Sequence, residues 1–337
     1  MLRILYPGSC AEALPRAHRL AGLPRPRLIV VARWLVTVLL VWLILRSIDT
    51  AAILDLIAHA ALPDLALAGL VVAMQVMLLV WRWQLVIRIL GGEAIGLGPL
   101  SVILGHSFLV GQVLPSSLGG DVARTLMLAR QTGAAVAARS VVCDRLLGST
   151  SLAPLVIPAL PIIAGRMGGL PPILTLTTAV LGAIAVVVLV LAFPFIIHTI
   201  PWLKGPLATA ATDLRLMLCS GKGSLAMAAL AVSSNLLSVL LIYILGSAIG
   251  AELRGLDCLV LVPPALLASG LPISLGGWGV REGALLAAFS LVHANPAGVA
   301  AMSVMYGLTT PLAGAAVVAV SLLADWRTVR SKGSRDE

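Results

Sequence analysis

Two arginines in this chain each stand four residues beyond a repeated Leu-Pro-x-Ser-Leu-Gly-Gly heptapeptide. The first copy runs from Leu114 to Gly120 and leads to Arg124; the second runs from Leu271 to Gly277 and leads to Arg281. The offset between the copies is 157 residues throughout. The residue types point to anion binding. Proline removes a backbone donor and disfavours helix in the residue before it, so Pro115 and Pro272 end a helix. The pairs Gly119–Gly120 and Gly276–Gly277 permit a sharp reversal and a close backbone approach to a ligand. A helix that starts after them presents free N–H groups, a natural site for a phosphate or carboxylate. Arg124 and Arg281 add a cation to each such start, and Ser117 and Ser274 add a hydroxyl.

Charges in an apolar surrounding need partners. Asp121 lies three residues before Arg124, close enough to share a helix face. Glu282 directly follows Arg281, and adjacent helical residues diverge. Cross-motif pairs, Arg124 with Glu282 and Arg281 with Asp121, would satisfy all four; the alternative is that these charges snorkel to the interface. Asp144 and Arg145 open a later apolar segment, as a second functional pair or as an interfacial anchor. Trp81 and Trp83 with Arg82, and Trp326 with Arg327, read as interfacial anchors. His106 has no second histidine or acid at metal spacing, and the four cysteines, Cys10, Cys143, Cys219 and Cys258, are scattered. Neither a metal nor another cofactor is expected. Gln75 and Asn235 read as interhelical hydrogen-bond partners.

The elements that must position these residues are membrane helices. Mean hydropathy is +1.06, 60% of the residues are hydrophobic and 11% are charged, against about 25% charged in soluble domains. Six segments are long enough to cross at about 20 apolar residues each: 28–45, 65–81, 146–165, 173–197, 225–249 and 297–323. The two motif-bearing segments, 99–131 and 258–293, read as re-entrant helical hairpins, the alternative being that the first arm of each crosses completely. Irregular backbone at that depth is tolerated only under protein or beside a water-filled cavity. The fold class is therefore an all-α polytopic membrane protein of about six spans and two hairpins. It divides into a basic tail (1–27), a first membrane repeat (28–165), a second, inverted repeat (173–323) and a C-terminal tail (324–337). Cys10 follows no apolar run, so neither a cleavable signal peptide nor a lipoprotein signal is expected.

The net charge of +9 flanks spans and is an orientation signal, which argues against nucleic acid as a partner. With both termini cytoplasmic and each hairpin returning to its own side, 19 Lys and Arg fall inside and 4 outside. Inverted repeats with broken helices place a shared site near the midplane and permit alternating access.

The block from Gly111 to Arg145, and the run LPISLGGWGVREGAL at 271–285 with its Gly277–Glu282 core, resemble the two motif regions of the lysylphosphatidylglycerol synthase transmembrane-domain family. That family includes the membrane half of the bacterial multiple peptide resistance factor, which moves aminoacylated phosphatidylglycerol between leaflets. It also includes stand-alone proteins associated with hopanoid, glycolipid or polyprenyl-lipid pathways. The resemblance implies a lipid-translocation fold in the bacterial cytoplasmic membrane. The chain ends at Glu337 without a soluble aminoacyl-transferase domain, so synthesis of lysylphosphatidylglycerol is not expected.

The leading expectation is a flippase or transporter for an anionic phospholipid or a polyprenyl- or hopanoid-type lipid, not an enzyme. Arg124 and Arg281 would hold the headgroup, and Asp121 and Glu282 would neutralise them when the site is empty. Two other classes compete. A polyprenyl-diphosphate phosphatase-like enzyme would use Ser117 or Ser274 as nucleophile, but it needs a base that the sequence does not place nearby. A membrane scaffold for a lipid- or glycolipid-synthesis enzyme would need neither arginine.

Overall fold

Apolar runs punctuated by Pro and Gly become helices, and in the computed structural model every regular element among the described residues is helical. The structure describes residues 50–113, 119–166, 206–219, 221–270, 274 and 277–333, with single positions between 35 and 46. The predicted basic tail 1–27, the span 173–197, Pro115, Ser117, Pro272 and Gly276 lie outside the described residues, as does most of the span 28–45.

The helices are α1 (Thr50–Ala58), α2 (Leu62–Ile89), α3 (Leu97–Val113), α4 (Gly119–Thr132), α5 (Ala134–Thr150), α6 (Ala153–Arg166), α7 (Pro206–Cys219), α8 (Lys222–Ala248), α9 (Gly255–Ser269), α10 (Val280–Ser290) and α11 (Pro296–Gly333). Four stretches are long and apolar enough to cross a membrane: Leu62–Ile89, Ala134–Ile157, Gly223–Ala248 and Pro296–Leu323. The shorter apolar helices α3 and α9 end at the repeated motifs, and α4 and α10 resume after them. Each motif therefore joins two short helices that pack on one another.

One predicted boundary is corrected. The helix expected to open at residue 146 begins at Ala134, and the stretch long and apolar enough to cross runs from there to Ile157. Asp144 and Arg145 consequently sit inside α5, not at its mouth. Arg145 lies eleven positions into the helix from Ala134, about 16 Å along its axis. Local hydropathy hid this, because Arg139, Asp144 and Arg145 lower the average of a helix that is nonetheless continuous.

The longest interface joins α2 to α8. Around it, packing occurs in matched pairs: α3 lies on α11 and α9 on α6, α2 on α5 and α8 on α11, α4 on α5 and α10 on α11. The largest apolar core gathers α8, α9, α10 and α11 around Leu241, Leu261, Leu285, Phe289 and Met302. A second core holds Trp83, Ile87, Leu100 and Leu128 where α2, α3 and α4 meet. Polar side chains stitch the central pair. Gln75 on α2 donates to the Ser234 carbonyl (3.2 Å) and to Ser238 Oγ (2.6 Å) on α8. Asn235 donates to the Gly148 carbonyl (3.2 Å) and to Ser151 Oγ (2.8 Å). Both residues thus make the interhelical bonds their apolar context demanded. At the far end of α5, Arg139 grips the buried Asp213 of α7 through two nitrogens.

Candidate functional site

The first break builds a cluster of five charges. Arg124 lies in the second turn of α4, 6% exposed, where the α4–α5 contact turns it inward. Its two terminal nitrogens donate to Asp144 Oδ2 on α5, both at 3.2 Å, and one also reaches the Val141 carbonyl at 3.4 Å. Its Nε stands 3.4 Å from Asp121 Oδ1 without hydrogen-bond geometry, so that donor is unused. The guanidinium lies over the Trp83 ring, 4.9 Å from its centroid. Trp83 is held in turn by its Nε1–H, which donates to Ser140 Oγ at 3.2 Å.

Asp144, also buried, accepts Arg82 Nε on its other oxygen at 2.8 Å. Arg82 is fixed further by Ser234 Oγ at 3.4 Å. Asp121 completes the set by accepting from Arg145. Among the described residues the cluster holds three guanidiniums, Arg82, Arg124 and Arg145, against two carboxylates, Asp121 and Asp144.

The second break builds a smaller pair. Gly277 and Gly279 have φ of 79° and 83°, a region open to glycine and strained for other residues, and they turn the chain into α10. Arg281 is the second residue of that helix and Glu282 the third. Glu282 Oε2 accepts the Gly279 N–H at 2.6 Å, the capping role an acid fills at the third position. Its other oxygen accepts from Arg281 at 2.5 Å and from Ser303 Oγ at 3.2 Å. The Arg281 guanidinium lies 4.8 Å from the Trp278 ring centroid and 5.7 Å from that of Tyr306. Cation–π contacts of this kind contribute about 2 kcal/mol each when desolvated.

The exchange of partners between the motifs is therefore not found. Arg124 pairs with Asp121 and Asp144, and Arg281 pairs with Glu282. The rule that adjacent helical side chains diverge gives way because Glu282 folds back to cap its own helix, which carries its carboxylate to Arg281. The reading of Asp144 with Arg145 as one pair is also corrected: each carboxylate bridges two arginines instead.

The breaks nonetheless meet. Trp278 Nε1, after the second motif, donates to Gln112 Oε1, at the end of α3 before the first motif, at 3.3 Å. Gly120 is required by proximity: a Cβ there would stand 2.5 Å from the Ser107 carbonyl of the facing helix. Gly119 is buried in the first turn of α4 beside it. Ser274 is fully buried and its Oγ has no partner. Each break thus leaves one buried polar atom unsatisfied, Arg124 Nε in the first and Ser274 Oγ in the second. Such groups are rare in folded proteins.

Sequence reasoning placed Arg82 and Trp83 at the interface, whereas both are buried beneath Arg124. It did not single out Ser303, Tyr306 or Gly307. Arg82 and Asp144 are 62 residues apart, so no local spacing could have joined them. His106 bonds the Val102 carbonyl of its own helix at 2.8 Å. Among the described residues no group of His, Cys, Asp and Glu could hold a metal ion. Cys143 and Cys258 are buried free thiols. A cavity of about 640 Å3 opens between the α8–α9 and α10–α11 connections, but it contains no member of either arginine group.

Gly307 yields a direct test. A Cβ at this position would lie 2.8 Å from Trp278 and would overlap the Arg281 guanidinium. Gly307→Leu should cost about 1–3 kcal/mol by overpacking and expel Arg281 from its aromatic seat. Thermal unfolding in detergent checks the first effect, and altered Trp fluorescence the second. Wild-type values in both would contradict the geometry.

Residues 30–317 match the family described as the lysylphosphatidylglycerol synthase TM region. No curated protein matches the chain.

Proposed function

From the premise that this chain belongs to the lysylphosphatidylglycerol synthase transmembrane-region family, as a multi-pass membrane protein related to lipid metabolism, we propose that it moves an anionic lipid across the bilayer. The observation that carries this reading is the pair of buried polar atoms with no hydrogen-bond partner, Arg124 Nε after the first motif and Ser274 Oγ within the second. A phosphodiester headgroup is an anion whose oxygens would accept from such donors. Arginine's planar fork suits phosphate bidentately. The unused Nε of Arg124 and the unpartnered Ser274 Oγ supply donors for the same headgroup, one from each break.

Ser274 is disfavoured as a phosphatase nucleophile because its Oγ has no hydrogen-bond partner; Ser117 lies outside the described residues. A serine nucleophile requires a base within hydrogen-bond reach. We read the chain as non-enzymatic, needing no cofactor and taking membrane lipids as its partners.

Mechanistically, the two halves act as inverted repeats whose broken helices are re-entrant and share a midplane site. The matched packing of α3 on α11 and α9 on α6 supports this, as does the Trp278–Gln112 bond between the breaks. Rocking of one half against the other would expose the arginines to each leaflet in turn. The orientation follows the positive charges, with both termini on the cytoplasmic side of the bacterial inner membrane. In a variant lacking native cysteines, single cysteines at positions 59 and 254 should react with an impermeant thiol reagent in intact cells. Those at 91, 215 and 330 should react only after permeabilisation. External labelling at 215 would sink the inverted arrangement.

Transport itself is tested with purified protein in liposomes carrying an acyl-labelled fluorescent phosphatidylglycerol. An impermeant reductant should then bleach inner-leaflet label that stays protected in protein-free liposomes. Protection identical to empty liposomes, across added partners and gradients, would refute the reading.

A further inference from the structure

Both motif arginines rest on an indole, and the two halves reach that contact from unrelated positions. Trp83 comes from α2, with the Arg124 guanidinium 4.9 Å from its ring centroid. Trp278 belongs to the second break itself and stands 4.8 Å from Arg281. Across the 157-residue offset, Trp278 corresponds to Asp121 and not to Trp83. The halves therefore share the contact, not the sequence position that makes it. Trp83 is fully buried, and its ring is fixed by the Nε1–H bond to Ser140 Oγ at 3.2 Å. Ser140 in turn donates to the Ala137 carbonyl at 2.9 Å.

A carboxylate and a ring face stabilise a buried guanidinium differently. The carboxylate takes up N–H donors; the ring face attracts the charge through its quadrupole and takes up none. Donors are left over at both sites. Arg124 commits its two terminal nitrogens to Asp144 and keeps Nε without a partner. Arg281 commits Nε to Ser303 Oγ at 3.4 Å and one terminal nitrogen to Glu282. Its other terminal nitrogen has no partner among the described residues. A leftover guanidinium N–H is best met by an anionic oxygen.

We propose that Trp83 and Trp278 are positioning residues for the lipid headgroup: each indole holds a motif arginine by its face, so that one guanidinium donor stays available to the phosphate. The proposal rests on the transport reading and adds what keeps its donors free. Trp83 carries the larger share. Among the described residues it is the one ring over Arg124, whereas Arg281 has a second ring in Tyr306, 5.7 Å away.

Fluorination tests the ring's charge with little change in its shape. Each fluorine draws electron density from the indole face and weakens its attraction for a cation, while the N–H stays a donor to Ser140. Mono-, di- and trifluorotryptophan are placed at one position at a time. Initial crossing rates of labelled phosphatidylglycerol are then measured in liposomes over a range of its mole fraction, per folded protein. At Trp83 the half-saturating fraction should rise with each fluorine, to roughly tenfold in the trifluoro form. At Trp278 it should rise less. At Trp81, 49% exposed and with no arginine over its ring among the described residues, it should not change. A ring that merely fills space would give a flat series at every position. A flat series at Trp83 would overturn the proposal; with Arg124→Ala inactive in the same liposomes, the transport reading would stand. Wild-type crossing by Arg124→Ala, or wild type no faster than empty liposomes, would remove that reading and the role of both indoles with it.

Discussion

Asp144→Asn should be the most destabilising single substitution in the membrane part of this protein. Asp144 is buried and holds Arg82 on one oxygen and Arg124 on the other. Neutralising it leaves two buried guanidiniums with one remaining nearby carboxylate, Asp121, which already serves Arg145. Breaking a buried pair by removing one partner typically costs about 3–5 kcal/mol, and here one residue serves two pairs. Adding Arg82→Met removes one stranded charge, so the double variant should recover part of the loss. Denaturation in mixed micelles measures both. The contact is coupled only if the double variant is better than the sum of the singles. A loss for Asp144→Asn no larger than that for the exposed Glu93→Gln would mean that the charges are solvated and the cluster is not buried in the working protein.

This centre of the molecule was the part least legible in the sequence. The helical class, the breaks and the two motif arginines could be read directly, because hydropathy, Pro and Gly act locally. Asp121 could be paired with Arg124 because three residues of helix fix their relative direction. What joined Arg82 and Asp144 was the α2–α5 packing, a long-range contact with no local signature. Reading Arg82 between two tryptophans as an interfacial anchor followed the usual statistics of membrane helices, yet the helix continues to Ile89, which carries Arg82 and Trp83 into the bundle. Glu282 misled for the opposite reason. Spacing sent its side chain away from Arg281, but the N-terminal cap overrode spacing, since an uncapped helix start leaves donors unsatisfied. The equal offset of 157 residues also concealed a real difference. α4 begins at Gly119, within its motif, while α10 begins at Val280, beyond its own. Arg124 therefore projects from a formed second turn and reaches Asp144 across the helix pair, whereas Arg281 stays beside its own cap.

The same difference shapes the second large expectation. Arg124→Ala and Arg281→Ala should each abolish lipid movement while the protein still inserts, because the headgroup is proposed to draw on both breaks. Arg281 balances Glu282 one for one, so its loss strands an acid against Ser303 and the helix cap. Arg124 carries the buried Nε that has no hydrogen-bond partner, so its loss removes a donor proposed for the anion as well. Lysine at either position should rescue only part of the rate, since it keeps the charge but not the planar fork.

The most direct measurement is the initial rate of fluorescent phosphatidylglycerol crossing in liposomes with matched amounts of wild type, Arg124→Ala, Arg281→Ala and the two lysine variants. The account predicts protein-free rates for both alanine variants and intermediate rates for both lysine variants. Wild-type rates in both alanine variants would contradict it, and loss in Arg124→Ala with full activity in Arg281→Ala would contradict the shared site.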